Sequence, residues 1–270
     1  MTALKKEHEH ETGSVCLSVD TSGPICLVTL SQDRKVLAAA TLNIGRTHSR
    51  SLSPLIESLL QQAEYSVDDI AVYAAVTGPG SFTGLRIGVA TVQGLAFASD
   101  KPTVAVSSLE AFAQRGPVLE AGDTDLSMGK SHWHLPLIDA RNRRAYYALF
   151  KGKRVEQRVW PDSVGGIDAM WDQLEEHLQP GDSLWLTGSG AAAVVADSKI
   201  HDRIAKLTAA GTHIVIREGV ICPSALARLT ARDIGKQAVL KPEDLQPVYL
   251  APTQAERQLE AKQLEAKQKE

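Results

Sequence analysis

The feature that most constrains the fold is a repeated order of elements. Val15-Cys16-Leu17-Ser18-Val19 is a short apolar run that ends in Asp20. The turn cluster Thr21-Ser22-Gly23-Pro24 follows, then a second run from Ile25 to Leu30, the turn Ser31-Gln32-Asp33-Arg34 and a third run from Lys35 to Leu42. Three short strands joined by tight turns predict an antiparallel meander. The same order returns later: Leu135-Pro136-Leu137-Ile138 ends in Asp139, and an offset of 119 residues sets Asp139 on Asp20. That offset places Tyr146-Tyr147 on Leu27-Val28, Leu149 on Leu30, Val155 on Val36, and the turn Lys151-Gly152-Lys153 on Gln32-Asp33-Arg34. Few identities are shared, so the order of elements carries the repeat.

Between the two meanders the pattern changes to helices and single strands. Leu52, Leu55, Ile56, Leu59 and Leu60 fall at i, i+3, i+4, i+7 and i+8, one apolar stripe of a helix. Pro54 leaves its start open: Ser53 caps a helix beginning at Pro54, or the helix begins near His48 and contains the proline. Ile70 to Val76 is an apolar strand, Leu85 to Ala98 a helix, Thr103 to Val106 a strand, and Ser107-Ser108 caps a helix from Leu109 to about Arg115. Residues 116–132 lack periodicity and are rich in Gly, Asp, Ser and Lys, so they are expected to form a linker or surface loop. The second half continues with a helix from Gly166 to Leu178, a strand from Ser183 to Leu186, the turn Thr187-Gly188-Ser189-Gly190 and a final helix from Pro223 to Ile234.

The domain expectation is a disordered tail (1–14), a first domain (15–115), the linker (116–132), a second domain (133–250) and a charged tail (251–270). In that tail, Gln258 to Lys262 repeats as Gln263 to Lys267. A five-residue period holds leucines on no constant helical face, so no coiled coil is expected. Two such halves predict an α/β chain of two duplicated domains. Each has a mixed sheet with a three-strand meander and flanking helices, the actin-like (ribonuclease H-like) architecture of actin, the sugar kinases and the 70-kDa heat-shock ATPases.

Composition removes several function classes. With 270 residues, 43% hydrophobic content and a net charge of −3, the chain has ample material for a buried core and is not globally disordered. The apolar stretch Leu85 to Ala98 holds Arg86 and Gln93 and is too short for a bilayer, and the first residues lack the apolar core of a secretory signal. The cysteines Cys16, Cys26 and Cys222 form no CxxC pair, which suits a reducing cytoplasm. The slightly acidic balance argues against a stand-alone nucleic-acid binder.

The most distinctive run is Thr77 to Gly84, a Gly-rich loop between a strand and a helix. It is not a Walker A loop: no glycine pair has the Gly-x4-Gly spacing, and no Lys follows Gly84. The glycines instead permit a tight turn at Pro79-Gly80 and close helix packing at Gly84 and Gly88. Ala90, Gly94 and Ala98 form a second small-residue stripe.

The run Gly78-Pro-Gly-Ser-Phe-Thr-Gly-Leu-Arg-Ile-Gly88 resembles the TsaB (YeaZ) family. So do Gln93-Gly-Leu-Ala-Phe97, Val106-Ser-Ser-Leu109, Asp20-Thr21-Ser22 and Pro247-Val-Tyr-Leu250. The likeness covers residues 15–250 and is stronger in the first half. It implies a cytoplasmic protein that works with TsaC, TsaD and TsaE in forming N6-threonylcarbamoyladenosine at position 37 of tRNA. TsaC makes threonylcarbamoyl-AMP, and TsaD, a paralogue, transfers its threonylcarbamoyl group to the adenine. The TsaB family member is implied to be the non-catalytic subunit, pairing with TsaD or, in its absence, with itself through N-terminal helices. TsaE joins the complex, tRNA is reached through it, and ATP or ADP enters with TsaD and TsaE. TsaD-like proteins are implied to bind a metal through the second and last histidines of His-His-Met-Glu-Gly-His. Here those places are Ser108 and Phe112, and a phenylalanine ligates nothing.

The expected partner-interface or interface-supporting residues are therefore Leu52, Leu55, Ile56, Gly84, Arg86 and Gly88. No catalytic and no metal residue is expected. Asp20, Asp139 and Gly188 mark a vestigial nucleotide cleft, and the alternative function is an actin-like ATPase or small-molecule kinase. Arg141, Arg143 and Arg144 are the compact basic cluster, read as solvated side chains on a hairpin edge rather than a tRNA contact. His8, His10, His132 and His134 are read as loop residues without a metal. Neither Ser81 nor Ser189 lies in a Gly-x-Ser-x-Gly elbow.

Overall fold

The computed structural model describes residues 13–43, 48–114, 130–153 and 155–251. They form two five-stranded sheets of identical topology. The first is ordered β3-β2-β1-β4-β5, from β1 (Val15–Asp20), β2 (Cys26–Gln32), β3 (Lys35–Leu42), β4 (Val72–Gly78) and β5 (Thr103–Ser107). The second, from β6 (His132–Asp139), β7 (Arg144–Lys151), β8 (Gln157–Gly166), β9 (Ser183–Thr187) and β10 (His213–Arg217), reads β8-β7-β6-β9-β10. In each, the Asp-ended strand is central, antiparallel to the next strand and parallel to the fourth. The duplicated actin-like architecture read from the sequence is the one observed.

The register of the repeat needs one correction. Asp20 pairs with Leu27, whereas Asp139 pairs with Ala145, so the second turn is one residue shorter and Tyr146 takes the place of Val28 rather than Leu27. The shorter turn runs Arg141, Asn142 and Arg143 through positive φ (63°, 52° and 53°), and the Arg144 amide closes it on the Arg141 carbonyl at 3.1 Å. Val155 precedes β8 rather than lying in it, and His132 belongs to a strand, not to the linker.

Helix α1 (His48–Ala63) contains Pro54 within it, and α2 spans Phe82–Ala98. Both lie on one face of the first sheet, where Leu52, Ile56, Leu59 and Leu60 meet Val28, Leu30, Val89 and Val92 in one core. Burying each such leucine or isoleucine contributes about 1.5–3 kcal/mol. In the second half, α4 (Ile167–Glu175), α5 (Ala191–Val195) and α6 (Ser198–Ala209) cover the face that carries Leu135, Leu137 and Leu186. The short α3 (Ser108–Ala113) joins the two halves. Its Ala111 and Phe112 pack on the first sheet, while Leu109 and Ala113 pack on Ala148 and Phe150 of the second.

The end of the chain does not stay with the second half. Helix α7 (Pro223–Gly235) packs on β1, β2, β3 and β5, with Leu226 and Leu229 against Cys16, Leu27 and Val104. Leu240 exchanges two backbone hydrogen bonds with Thr103, both at 2.8 Å, and Leu245 is fully buried in the first core. By packing, then, α7 lies on the first sheet and the segment after it reaches β5 at Leu240 and α2 at Pro242 and Leu245, all within the stretch 133–250 that the sequence reading groups as the second domain. The tail at 1–12, the linker core at 115–129 and the repeat at 252–270 lie outside the described residues.

Candidate functional site

The Gly-rich loop and the Asp-ended strand meet directly. The Ser81 amide donates to Ser22 O at 2.7 Å, and Thr21 Oγ1 donates to Gly84 O at 2.7 Å. A Cβ on Gly80 would stand 2.5 Å from Ser22 O, and one on Gly84 or Gly88 would overlap Thr21. Ser81 caps α2 by accepting from the Gly84 amide. The second half repeats the device: the Gly190 amide donates to Leu137 O at 2.9 Å, a Cβ on Gly190 would stand 2.5 Å from Asp139 N, and one on Gly188 would overlap Leu137 O. Both carboxylates cap their own turn. Asp20 Oδ1 accepts from the Ser22 amide at 2.8 Å, and Asp139 Oδ1 from the Arg141 amide at 2.7 Å. Asp20 is buried, which raises its pKa, opposed by hydrogen bonds from Ser22 and by the charge of His48. Asp139 is exposed.

Asp20 also lines a cleft of about 510 Å³, with Leu27, Thr41, Arg217, Cys222 and Ser224 among its walls. Asp139 and Gly188 are not among them, so the structure does not bring the three expected cleft residues together in this cavity.

The α1–α2 layer is the second concave feature. A groove of about 540 Å³ runs between the helices, lined by Ile56, Glu57, Leu60, Tyr65, Thr91 and Leu95. The expected interface residues divide here. Leu52 and Ile56 are buried in the first core, Ile56 at the floor of the groove, and Gly84 and Gly88 face Thr21, so these four support the layer from the inside. Leu55 is half-buried and Arg86 is exposed. The outward stripe of α2 is the other small-residue stripe: Ala90, Gly94 and Ala98 are exposed, and a Cβ on Gly94 would meet nothing within 4 Å. Phe97 stands beside it at 77% exposure, and Phe82, Val248 and Tyr249 are exposed at its other end. Sequence reasoning did not select these residues. The available signal was phase: Phe97 falls outside the inward sequence Leu85, Val89, Val92 and Ala96.

At the place matched to the TsaD metal pair, Ser108 is buried and donates to Pro79 O at 2.5 Å, while Phe112 sits in an apolar cluster. Around them the chemistry is ionic. Glu110, its side chain 14% exposed, accepts from Arg158 of β8 and Arg232 of α7; Arg158 also reaches Asp162, whose other oxygen accepts from Ser107 Oγ at 2.6 Å. Among the described residues, no group of three or more His, Cys, Asp or Glu side chains is arranged to hold a metal ion.

The remaining expectations are placed as follows. His132 and His134 are buried in β6 rather than in a loop. Nε2 of His134 bonds Gly152 O at 2.8 Å, and burial lowers its pKa to about 4. Arg143 is held by Asp168 and Asp197, while Arg141 and Arg144 are exposed. No helix of the described residues is long and apolar enough to cross a membrane.

Comparison with known proteins agrees with this geometry. The profile of the family described as "TsaD: tRNA N6-adenosine threonylcarbamoyltransferase" matches residues 35–176, over half of the chain. The TsaB of Escherichia coli, a tRNA threonylcarbamoyladenosine biosynthesis protein, is 29% identical over 87% of this chain and 93% of its own length. That of Bacillus subtilis is 30% identical over 61% of this chain and 67% of its own. A solved Pseudomonas aeruginosa protein, described as similar to the peptidase YeaZ, superposes with a TM-score of 0.68 at 26% identity, over 88% of this chain and all of that one. The chain belongs to this family, on its TsaB branch, within the actin-like superfamily and in the biosynthesis of tRNA threonylcarbamoyladenosine.

Proposed function

We propose that this chain is the non-catalytic accessory subunit of the threonylcarbamoyl transfer step. In this reading it docks and supports the TsaD transferase, which moves threonylcarbamoyl from threonylcarbamoyl-AMP to adenosine 37. The observation that carries the reading is the outward face of α2: a ridge of Ala90, Gly94 and Ala98 beside Phe97 at 77% exposure. A small-residue ridge admits a partner helix closely, and a large exposed aromatic is an anchor in search of a pocket. The same face would serve a homodimer when TsaD is absent. Two observations speak for a non-catalytic role. Ser108 and Phe112 occupy the transferase's metal positions and are engaged in packing. The Gly-rich turns are closed against Ser22 and Leu137 backbone, where an approaching phosphate would need room. ATP or ADP accordingly belongs to the complex with TsaD and TsaE, and tRNA is reached through that complex.

The test uses Gly94→Trp and Phe97→Asp, both on the surface and free of internal cost. Each is expected to weaken binding to the TsaD of the same organism by about 2 kcal/mol or more, roughly thirtyfold, without lowering the thermal unfolding temperature. Host tRNA threonylcarbamoyladenosine, measured by mass spectrometry after depletion, is expected to return with the wild-type chain and not with either variant. Full binding and full restoration by both variants would remove the docking reading. The alternative, an ATPase or small-molecule kinase, rests on the cleft beside Asp20, and heat on titrating millimolar Mg-ATP into the isolated chain would favour it.

A further inference from the structure

At the N-terminal end of the outward α2 face, side chains from two distant segments form one stack. Phe82 and Arg86 stand one turn apart on α2, and Tyr249 arrives from the segment that returns over the first sheet. The Arg86 guanidinium carbon lies 4.0 Å from the Phe82 ring centroid and 5.9 Å from that of Tyr249, and the two rings are 4.9 Å apart. Arg86 Nε donates to the Tyr249 hydroxyl at 3.0 Å. The returning segment is itself fixed: the Val248 amide donates to Thr77 O at 2.8 Å, and Gln93 Nε2 donates to Pro242 O and Leu245 O.

This arrangement holds Arg86 in place before any partner arrives, which removes much of the rotamer entropy that an arginine loses on binding. It also leaves the guanidinium uncompensated. Arg143, Arg158, Arg203 and Arg232 are each held by carboxylates. Arg86 is exposed and held by rings and a phenol, its Nε is used, and no carboxylate among the described residues pairs with its two terminal nitrogens. It is the single charged residue of α2.

We propose that Arg86 is the specificity anchor of the docking face. In that role it receives, through its two terminal nitrogens, the carboxylate of an Asp or Glu on the partner's docked helix, while Phe82, Val248 and Tyr249 cover the stem of that side chain. The inference rests on the docking reading above and names the chemistry of the partner at one point of it. A fork of two parallel N–H donors fits a carboxylate, and a guanidinium stacked on rings is the arrangement found at binding hot spots. An RNA phosphate is disfavoured by the surroundings: the neighbours are apolar, α2 supplies no second cation, and the chain carries a net charge of −3.

The experiment is calorimetric titration of the TsaD of the same organism into the full chain, at low and high salt, with four variants. Arg86→Glu is expected to lower affinity about a hundredfold, and Arg86→Lys about tenfold because an ammonium keeps the charge and loses the fork. Tyr249→Phe, which keeps the ring and removes the hydroxyl, is expected to cost about threefold through lost positioning. Gly94→Trp serves as the control for the docking reading. Among Asp/Glu→Lys variants of the partner, one is expected to restore binding to Arg86→Glu. Arg86→Glu binding like wild type, while Gly94→Trp abolishes the complex, would overturn the anchor and leave the docking reading standing. Both variants binding normally would overturn both. Loss of tRNA retention by Arg86→Glu with unchanged protein–protein affinity would also overturn the anchor, in favour of an RNA contact.

Discussion

The two halves of the molecule close their sheets in the same strand order and then use their outer helices differently. In the first half the helix after β4 is α2, seventeen residues with one charge, whose outward face is small and apolar. In the second half the helix at that place is α5, five residues long, followed by α6, where Arg203 is tied to Asp172 and Glu175 of α4. Arg143 adds bonds to Asp168 and Asp197 on the same half. None of the ion pairs among the described residues is made by α1 or α2. The interiors kept the shared device, an Asp-capped turn closed by a Gly-rich loop, while the surfaces diverged. One half satisfies its own surface with charge pairs; the other leaves a small and apolar face exposed, the face the docking proposal uses.

The glycines give the largest expected effect. Gly84→Ala places a methyl into Thr21 backbone, and Gly190→Ala places one 2.5 Å from Asp139 N. Each is expected to lose about 3 kcal/mol in denaturant unfolding, because a backbone wall gives way less than a side chain. Gly94→Ala, in open space on the same helix as Gly84, is expected to gain about 1 kcal/mol from helix propensity. If Gly84→Ala and Gly94→Ala behaved alike, the assignment of inward and outward stripes would be wrong.

Acid should separate the halves next. His134 of the second half has its pKa lowered from 6.5 to about 4, first by burial. The unfolded chain then binds more protons between those values, so stability falls as the pH is lowered from 6.5 and the loss is complete below about 4. The full change is about 3 kcal/mol. Unfolding free energies measured across this range are expected to show that slope in the wild type and a flatter one in His134→Phe, which starts lower for want of the bond to Gly152 O. An unchanged slope would place the acid sensitivity on other groups.

How much of this was legible depends on whether the cause is local. β3 was read residue for residue, and α7 to within one, because a turn, a cap or Pro223 at the first helical position marks them. The stretch holding α5, α6 and β10 was not read. Ala191 to Ala193 have no decided period, although Ile200, Ile204 and Leu207 at i, i+4 and i+7 did announce α6. The return of α7 to the first sheet is a tertiary fact that no local pattern encodes. For the site, periodicity showed two small-residue stripes on α2 but not which one the sheet would take. That was settled by Thr21, distant in sequence, and it moved Gly84 and Gly88 inside. Tyr249 beside Arg86 was invisible for the same reason.

The smallest effect sharpens the comparison at the two aspartates. Asp20 and Asp139 make the same bond to the amide two residues on, yet Asp20 is buried and Asp139 exposed. Burial raises the Asp20 pKa above its ordinary 3.8, so the folded state favours the neutral acid. The stability it contributes is present below the unfolded value and is lost as the pH rises through the raised folded one, the opposite sense to His134. Asparagine keeps the Oδ1 acceptor for the Ser22 amide and removes the charge. Asp20→Asn is therefore expected to raise stability at pH 7 by about 1 kcal/mol, because it relieves a carboxylate of its desolvation, while Asp139→Asn changes it by a few tenths at most. An actin-like ATPase would lose nucleotide affinity with Asp20→Asn, whereas a docking subunit keeps its partner affinity unchanged. A destabilised Asp20→Asn would instead mean that the charge itself is held, by the hydrogen bonds from Ser22 first and the charge of His48 after them, and Ser22→Ala would be the next variant to measure.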